Sequence, residues 1–281
     1  MKFSTYDFIS MSEDRVNEDI AYAENNYGWV IDGATGLNKT NLTGSKGDVY
    51  WFVNEWNNYL KDNILDKSKD IKEIVSKGMD FIGNKFNKIS STKYPDKVDL
   101  SAASIAIIRI NNNKVEYFLL GDCTLIVENN NGKSSIIKQM LLDKLDNIAK
   151  AEMNKLMLNE GISFIEARQR INPLLIKHRL LKNTPEGYWT LGFDKNAVEN
   201  SLYGYLDLEE CKKALLMSDG FSAIFDNYKY MQADDLISII EKQGLHQVYK
   251  TIRLIENEDA DVVKFPRFKK SDDSSAVIFL Q

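Results

Sequence analysis

The apolar residues of this chain follow two spacings, one typical of strands and one typical of helices. Short runs rich in aromatic and β-branched residues predict strands at 3–9, 20–23, 27–31, 102–110, 115–120, 124–127, 201–206, 213–217 and 275–280. Apolar residues that recur every three or four positions predict helices at 48–65, 71–89, 233–241 and 245–255. This order of elements predicts an α+β domain in which antiparallel sheets are covered by helices.

The segment 133–182 interrupts the strand-rich pattern with apolar residues at helical spacing. Gly161 breaks the first helical stretch, Ser163 is a suitable N-cap for the next, and Pro173 lies near the end of that helix or kinks it. We interpret the segment as a helical insertion, a candidate flap, within one domain that spans 1–281. Its Met and Leu stripes favour packing within the segment over a groove for a partner.

Composition and charge exclude several classes of function. The 281 residues are 43% hydrophobic and carry a net charge of -5, which gives no electrostatic footprint for nucleic acid or an anionic membrane. No apolar run is long enough to span a bilayer or resembles a signal peptide. Cys123 and Cys211 lie in or beside apolar runs, so we expect buried free thiols in a cytoplasmic protein. With only His178 and His246, a His-rich zinc site or a His-dependent triad is disfavoured.

Acidic residues stand beside apolar runs at four distant places in the chain. These places are Asn17-Glu18-Asp19, Ile31-Asp32-Gly33, Ser218-Asp219-Gly220 and Ser271-Asp272-Asp273. Carboxylates at strand ends can converge at one edge of a sheet, where they repel each other unless cations lie between them. Hard divalent ions that prefer oxygen ligands, such as Mg²⁺ or Mn²⁺, suit such a site.

Five motifs, in their order along the chain, resemble the metal-dependent protein phosphatases of the PP2C (PPM) family. They are Glu18-Asp19, Asp32-Gly33, Gly121-Asp122, Ser218-Asp219-Gly220 and Asp272-Asp273. One Asp-Gly alone is a common turn, but five such elements in order are hard to obtain by chance. The resemblance runs from about residue 17 to 281 and implies a four-layer αββα sandwich of two antiparallel sheets flanked by helices.

The resemblance also implies roles for individual residues. Asp32 would bridge two divalent ions, Mn²⁺ or Mg²⁺, and the carbonyl of Gly33 would bind one of them. Asp219 and Asp272 would hold the other ion, although the alignment could slip to Asp273. Glu18 and Asp19 would orient metal-bound waters. The two ions would then activate a shared water for in-line attack on phosphorus, with Asp32, Asp219, Asp19 and Arg15 as the catalytic set.

The sequence departs from the family pattern at two positions that contact the substrate. Many members carry an Arg four residues before the Glu of Glu-Asp, where it binds the substrate phosphate. Asp14 holds that position here, and Arg15 follows it; a bulge could bring Arg15 into the site, or it could be solvent-exposed. Some members have a His directly after Asp-Gly that protonates the leaving group, and here the residue is Ala34.

The family's third metal site is also incomplete. That site uses the Asp of the Gly-Asp hairpin, here Asp122, and an Asp four residues after the Ser-Asp-Gly aspartate. The latter position is Ala223, which puts a third ion in doubt. Asp226 is either a substitute ligand or a charge on a helix surface. A hairpin turn that happens to face the site is the favoured interpretation of Gly121-Asp122.

The predicted function is metal-dependent hydrolysis of phosphoserine and phosphothreonine in proteins, by a monomer whose partner is the phosphorylated substrate. One alternative is a catalytically weak pseudo-phosphatase that acts as a binding module, because the usual His and Arg are missing or displaced. Another is hydrolysis of a small phosphorylated metabolite. Four basic residues form either a solvated loop or an attractor for phosphorylated substrate: Lys264, Arg267, Lys269 and Lys270.

Overall fold

Two antiparallel five-stranded sheets form the centre of the computed structural model, which describes residues 3–13, 16–34, 36–37 and 40–281. The first sheet has the order β1 (Thr5–Met11), β10 (Ser274–Leu280), β9 (Lys213–Met217), β6 (Thr124–Glu128) and β7 (Ser134–Lys138). The second has the order β2 (Ile20–Glu24), β3 (Tyr27–Gly33), β4 (Ala103–Asn111), β5 (Lys114–Leu120) and β8 (Leu202–Asp207).

Helices cover the outer faces of both sheets. A further group of helices lies, in sequence order, between strands β7 and β8. They are α1 (Asp48–Asn63), α2 (Ile71–Ile89), α3 (Leu141–Glu160), α4 (Phe164–Arg170), α5 (Asn172–Leu180), α6 (Asn196–Glu199), α7 (Asp219–Asp226), α8 (Ala233–Gln243) and α9 (Leu245–Glu258). Helices α1 and α2 pack on the second sheet, whereas α7, α8 and α9 pack on the first. The predicted α+β, four-layer αββα sandwich is therefore confirmed.

Successive side chains along each strand point to opposite faces of its sheet and so contribute to three separate hydrophobic cores, one between the sheets and one under each helical layer. On β3, Trp29 and Ile31 face the α1–α2 layer, whereas Val30 faces the other sheet. On β10, Ile278 faces the α7–α9 layer, whereas Phe279 lies in the core between the sheets. Both faces of each central strand are thus buried, which explains why these strands are almost uniformly apolar.

Two sequence predictions near the middle of the chain are wrong. The helical pattern predicted from Lys133 includes Ile136 and Ile137, but these residues form β7, which pairs with β6; helix α3 begins at Leu141. Backbone pairing with β6 decides the conformation of this edge strand, and Ile136 stays exposed. Gly121-Asp122 is not a hairpin turn, because β5 and β6 belong to different sheets and the chain crosses between them here.

Helices α3, α4 and α5 form a small core of their own, as the Met and Leu stripes predict. Its buried members are Ala149, Met153, Ala167, Ile171 and Leu175. Leu37, after β3, and Phe268, before β10, pack against this cluster and connect it to the sandwich. We call these three helices the helical cap. That the cap is an insertion within a single domain stays a prediction.

Cys123 and Cys211 are buried free thiols, as expected. Among the described residues, no helix has the length and apolar character needed to cross a membrane.

Candidate active site

The acidic motifs meet at one end of the sandwich, where strands of both sheets end. Asp32 lies near the end of β3, paired across the ladder with Ser104 on β4. Asp219 begins α7 directly after β9, and its N–H donates to Asp32 Oδ2 at 3.2 Å. The N–H of Glu18 donates to Asp273 Oδ2 at 2.9 Å. These two contacts join segments that are 187 and 255 positions apart in the chain.

The glycine of each Asp-Gly motif allows a second backbone segment to approach. A Cβ on Gly33 would stand 2.3 Å from the carbonyl oxygen of Glu18. A Cβ on Gly220 would stand 2.0 Å from the carbonyl oxygen of Asp273. Both distances are shorter than any tolerable contact, so only glycine permits these approaches. Each glycine thus places the adjacent aspartate beside another acidic segment.

Removal from water and mutual repulsion raise the pKa values of the clustered carboxyls. For Asp19 the largest cause is burial, followed by the charges of Asp273, Asp272 and Asp219. For Asp32 it is again desolvation, followed by the charges of Asp19 and Asp219. The pKa of Asp219 is raised by desolvation and by Asp272. The cluster therefore resists full ionisation unless cations neutralise it.

The donor set fits hard divalent cations in its chemistry, because it offers only oxygen ligands. Oδ2 of Asp19 is buried and has no hydrogen-bond partner among the described residues. A buried carboxylate oxygen without a partner is costly in a folded protein, and a cation or a water bound to a cation would satisfy it. In the described part of the chain, no group of three or more His, Cys, Asp or Glu side chains is arranged so that it could hold a metal ion as it stands.

The two adjacent aspartates before β10 have different surroundings. Asp272 lines the same cavity as Asp32 and Asp219, and its Oδ1 accepts hydrogen bonds from Lys269 Nζ at 2.8 Å and from the N–H of Asp273. Asp273 accepts from the backbone of Glu18 and does not line that cavity. Of the two, only Asp272 lines the cavity, and its assignment as the ligand stays a prediction; Asp273 connects two backbone segments.

Asp122 lines the cavity. Asp226, the possible substitute ligand for a third metal ion, is held in an ion pair. Burial and the charge of Asp219 raise the pKa of Asp122 to about 7. Asp226 is ion-paired with Lys138 at 2.9 Å, and Lys138 also contacts Asp143 at 3.0 Å. The lysine ammonium, which also acts on Asp122, provides positive charge from the chain itself on this side of the site.

Of the two places where the sequence departs from the family's phosphate-binding Arg and its His, the structure describes only the second, Ala34. Arg15 and Asp14 lie outside the described residues. Ala34 lines the cavity, and its N–H donates to the carbonyl of Ala102 at 3.0 Å.

The helical cap contributes cavity residues that the sequence analysis did not identify. The cavity has a volume of about 170 Å³, and Asp146, Arg168, His178 and Arg179 of the cap form part of its wall. Desolvation raises the pKa of Asp146 to about 6. Burial and Lys177 lower the pKa of His178, whose Nδ1 is buried without a hydrogen-bond partner among the described residues.

Helical spacing gives one signal that was available in the sequence. His178 and Arg179 lie three and four residues after Leu175, so the three share a face of α5. Tyr188, in the segment between α5 and α6, also lines the cavity, and burial raises its pKa to about 12.

The fold is that of solved serine/threonine phosphatases, so the resemblance to the PP2C (PPM) family seen in the sequence is confirmed at the level of the fold. The serine/threonine phosphatase PstP/Ppp of Mycobacterium tuberculosis superimposes with a TM-score of 0.57, at 13% identity over 100% of this chain and 99% of that chain. A bacterial serine phosphatase gives a TM-score of 0.55, at 12% identity over 99% and 97% of the two chains.

The catalytic domain of the serine/threonine protein phosphatase PstP, solved in complex with two manganese ions, gives a TM-score of 0.53 at 13% identity over 100% and 99% of the chains. No protein-family model and no curated protein sequence matches this chain.

Proposed function

We propose that this protein hydrolyses phosphoserine and phosphothreonine in proteins with the help of divalent cations, Mn²⁺ or Mg²⁺. The observation that carries the proposal is the convergence of Asp32, Asp219 and Asp272, from three distant segments, around one cavity. Structures with this fold include serine/threonine protein phosphatases, one of them in complex with two manganese ions.

The side chains of Asp32, Asp219 and Asp272 and the carbonyl of Gly33 would hold the cations, with Glu18 and Asp19 at the edge of the set. Bound there, divalent cations would lower the pKa of a water and neutralise charge on the phosphoryl oxygens. The chain itself brings the carboxylates together through the close backbone approaches at Gly33 and Gly220.

The protein itself positions the groups of the site. The backbone N–H of Asp219 donates to Asp32 Oδ2, so the Asp32 carboxylate is oriented before substrate arrives. Asp19 is only 4% exposed and would accept a hydrogen bond from a water through its unpartnered Oδ2, which orients that water. The helical cap forms one wall of the cavity.

The shape of the site supports a phosphorylated side chain on a larger molecule. The cavity of about 170 Å³ shares Leu37, Arg168 and Phe268 with a neighbouring groove of about 470 Å³. A phosphorylated serine or threonine could enter the cavity while its flanking residues lie in the groove. The substrate would thus be held on both sides of the phosphate.

The test is phosphate release from a phosphothreonine peptide, a phosphotyrosine peptide and a panel of small phosphate esters, each with Mn²⁺, Mg²⁺ or chelator. We expect metal-dependent release from the phosphothreonine peptide, which Asp32→Asn and Asp219→Asn abolish. Asp96→Asn, the same chemical change at an exposed position, should retain activity.

Turnover of small esters alone would replace this proposal with a metabolite phosphatase. Binding of phosphopeptide without turnover in any metal would favour the pseudo-phosphatase. Activity that survives both Asp32→Asn and Asp219→Asn would contradict the site assignment.

A further inference from the structure

The cap places arginine side chains in the wall of a cavity that contains several carboxylates. Arg168, on α4, lines both the cavity that contains Asp32 and the neighbouring groove. It is half-buried, and it follows Ala167, which is fully buried in the core of the cap. The packed backbone at Ala167 therefore fixes the position of Arg168, whose side chain borders both the cavity and the groove.

Arg168 makes no hydrogen bond or ion pair with any residue that the structure describes. The arginine two positions along the same helix differs: Arg170 is ion-paired with Glu160 and with Glu166, the latter at 2.8 Å. Arg109 is ion-paired with Glu116 at 2.6 Å in the core. A guanidinium has five donors and stays protonated, so an unpaired one in a cavity is suited to an anion.

An aromatic contact holds the Arg168 guanidinium in place without satisfying its donors. Its Cζ lies over the ring of Phe268 at 5.8 Å from the centroid. Burial lowers the pKa of Arg168 below its ordinary value, as expected for a charge removed from water without a compensating anion. Phe268 directly precedes Lys269, which contacts Asp272. The stacked pair thus connects the cap to the loop that carries a proposed metal ligand.

We propose that Arg168 binds the phosphoryl oxygens of the substrate, so that the helical cap, through this residue, supplies the arginine that recognises the phosphate. The proposal rests on the proposed function, because it assigns a substrate contact in the same site. The ligand chemistry is a phosphomonoester dianion. The planar fork of the guanidinium matches two phosphoryl oxygens, whereas the cations held by the carboxylates would neutralise the opposite side of the phosphate.

The test compares the wild type with Arg168→Met, Arg168→Lys and Arg170→Met. Methionine keeps apolar contact with Phe268 and removes the charge, and Arg170→Met makes the same change on the same helix outside the cavity. Three quantities are measured with Mn²⁺: the inhibition constant of inorganic phosphate, and KM and kcat for a phosphothreonine peptide and for a small aryl phosphate. Calorimetry measures binding of inorganic phosphate directly.

We expect Arg168→Met to weaken inorganic phosphate by about 10- to 100-fold, the loss typical of a charge-assisted hydrogen bond to an ionised group. KM for both esters should rise by a similar factor. Arg168→Lys, which keeps the charge but loses the fork, should recover part of the loss. Arg170→Met should leave all three quantities within about twofold, as typical for an exposed surface pair. The melting temperatures should agree among variants.

An unchanged inhibition constant in Arg168→Met would overturn the proposal while leaving the phosphatase function in place. A loss confined to the peptide, with inorganic phosphate and aryl phosphate unaffected, would also overturn it, because Arg168 would then contact the flanking residues. If the wild type releases no phosphate from any ester, the proposed function fails. Calorimetry then decides for Arg168 alone: weaker phosphate binding in Arg168→Met supports the anion site, and equal binding overturns it.

Discussion

Replacing Asp122 with Asn should reduce the amount of folding stability that the metal-free protein loses as the pH rises. Burial and the charge of Asp219 raise the pKa of Asp122 from 3.8 to about 7. Because the folded state holds this proton more tightly than the unfolded chain, stability is lost as pH rises from about 4 to about 7, and the loss is complete above that range. A shift of this size corresponds to roughly 4 kcal/mol in the free energy of unfolding over the whole pH range, and most of it falls between pH 5 and pH 8.

The assay is urea unfolding with chelator present, at pH 5 and at pH 8, for the wild type, Asp122→Asn and Asp96→Asn. The buried amide that Asp122→Asn introduces costs stability at every pH, so the quantity compared is the difference between the two pH values. The wild type and Asp96→Asn, whose changed residue is exposed, should lose more stability on alkalinisation than Asp122→Asn, by on the order of 2–4 kcal/mol. Equal losses in all three proteins would refute the inference that Asp122 is a strained member of the acidic cluster.

Two predictions concern glycines. Gly220→Ala would place a Cβ 2.0 Å from the carbonyl oxygen of Asp273, so α7 and the segment before β10 must separate. We expect a loss of Mn²⁺ affinity together with a lower free energy of unfolding. An unchanged Mn²⁺ titration would contradict this prediction. On α2, Gly78→Ala meets the buried Trp56 ring at 2.5 Å and should cost about 1–3 kcal/mol. Gly83→Ala, on the same helix with 3.7 Å to its nearest neighbour, should instead gain about 0.5–1 kcal/mol in urea unfolding, and equal effects of the two changes would refute the packing argument.

The strands of the sandwich other than β7 could be predicted because each is a short apolar run bounded by turn residues or by a motif with a chemical role. The end of β9 and the start of α7, for example, coincide with Ser218-Asp219-Gly220. The spacing of apolar residues also identified α2 correctly, from Ile71 to Ile89. In these places local pattern and tertiary packing favour the same conformation, so one sequence is sufficient.

The strand β7 could not be predicted, because two adjacent isoleucines fit a helical stripe as well as an edge strand. Only pairing with β6, a long-range contact, decides between them. The prediction of a hairpin at Gly121-Asp122 was wrong for the same reason. The local sequence of a turn between two strands does not show whether both strands belong to one sheet.

The cap residues of the cavity were missed for a related reason. Spacing places His178 and Arg179 on one face of α5, but nothing local shows that this face meets the acidic end of the sandwich. The contacts that decide this are those of Leu37, after β3, and Phe268, before β10, with the core of the cap.

The most direct test of the central claim is phosphate release from a phosphothreonine peptide while Mn²⁺ is titrated into metal-free protein, for the wild type and Asp32→Asn. We predict no release before Mn²⁺ is added, saturable activation of the wild type, and no activation of Asp32→Asn over the same range. Release that is independent of Mn²⁺ and Mg²⁺, or activation of Asp32→Asn equal to that of the wild type, would contradict the claim that the clustered aspartates form a metal-dependent phosphatase site.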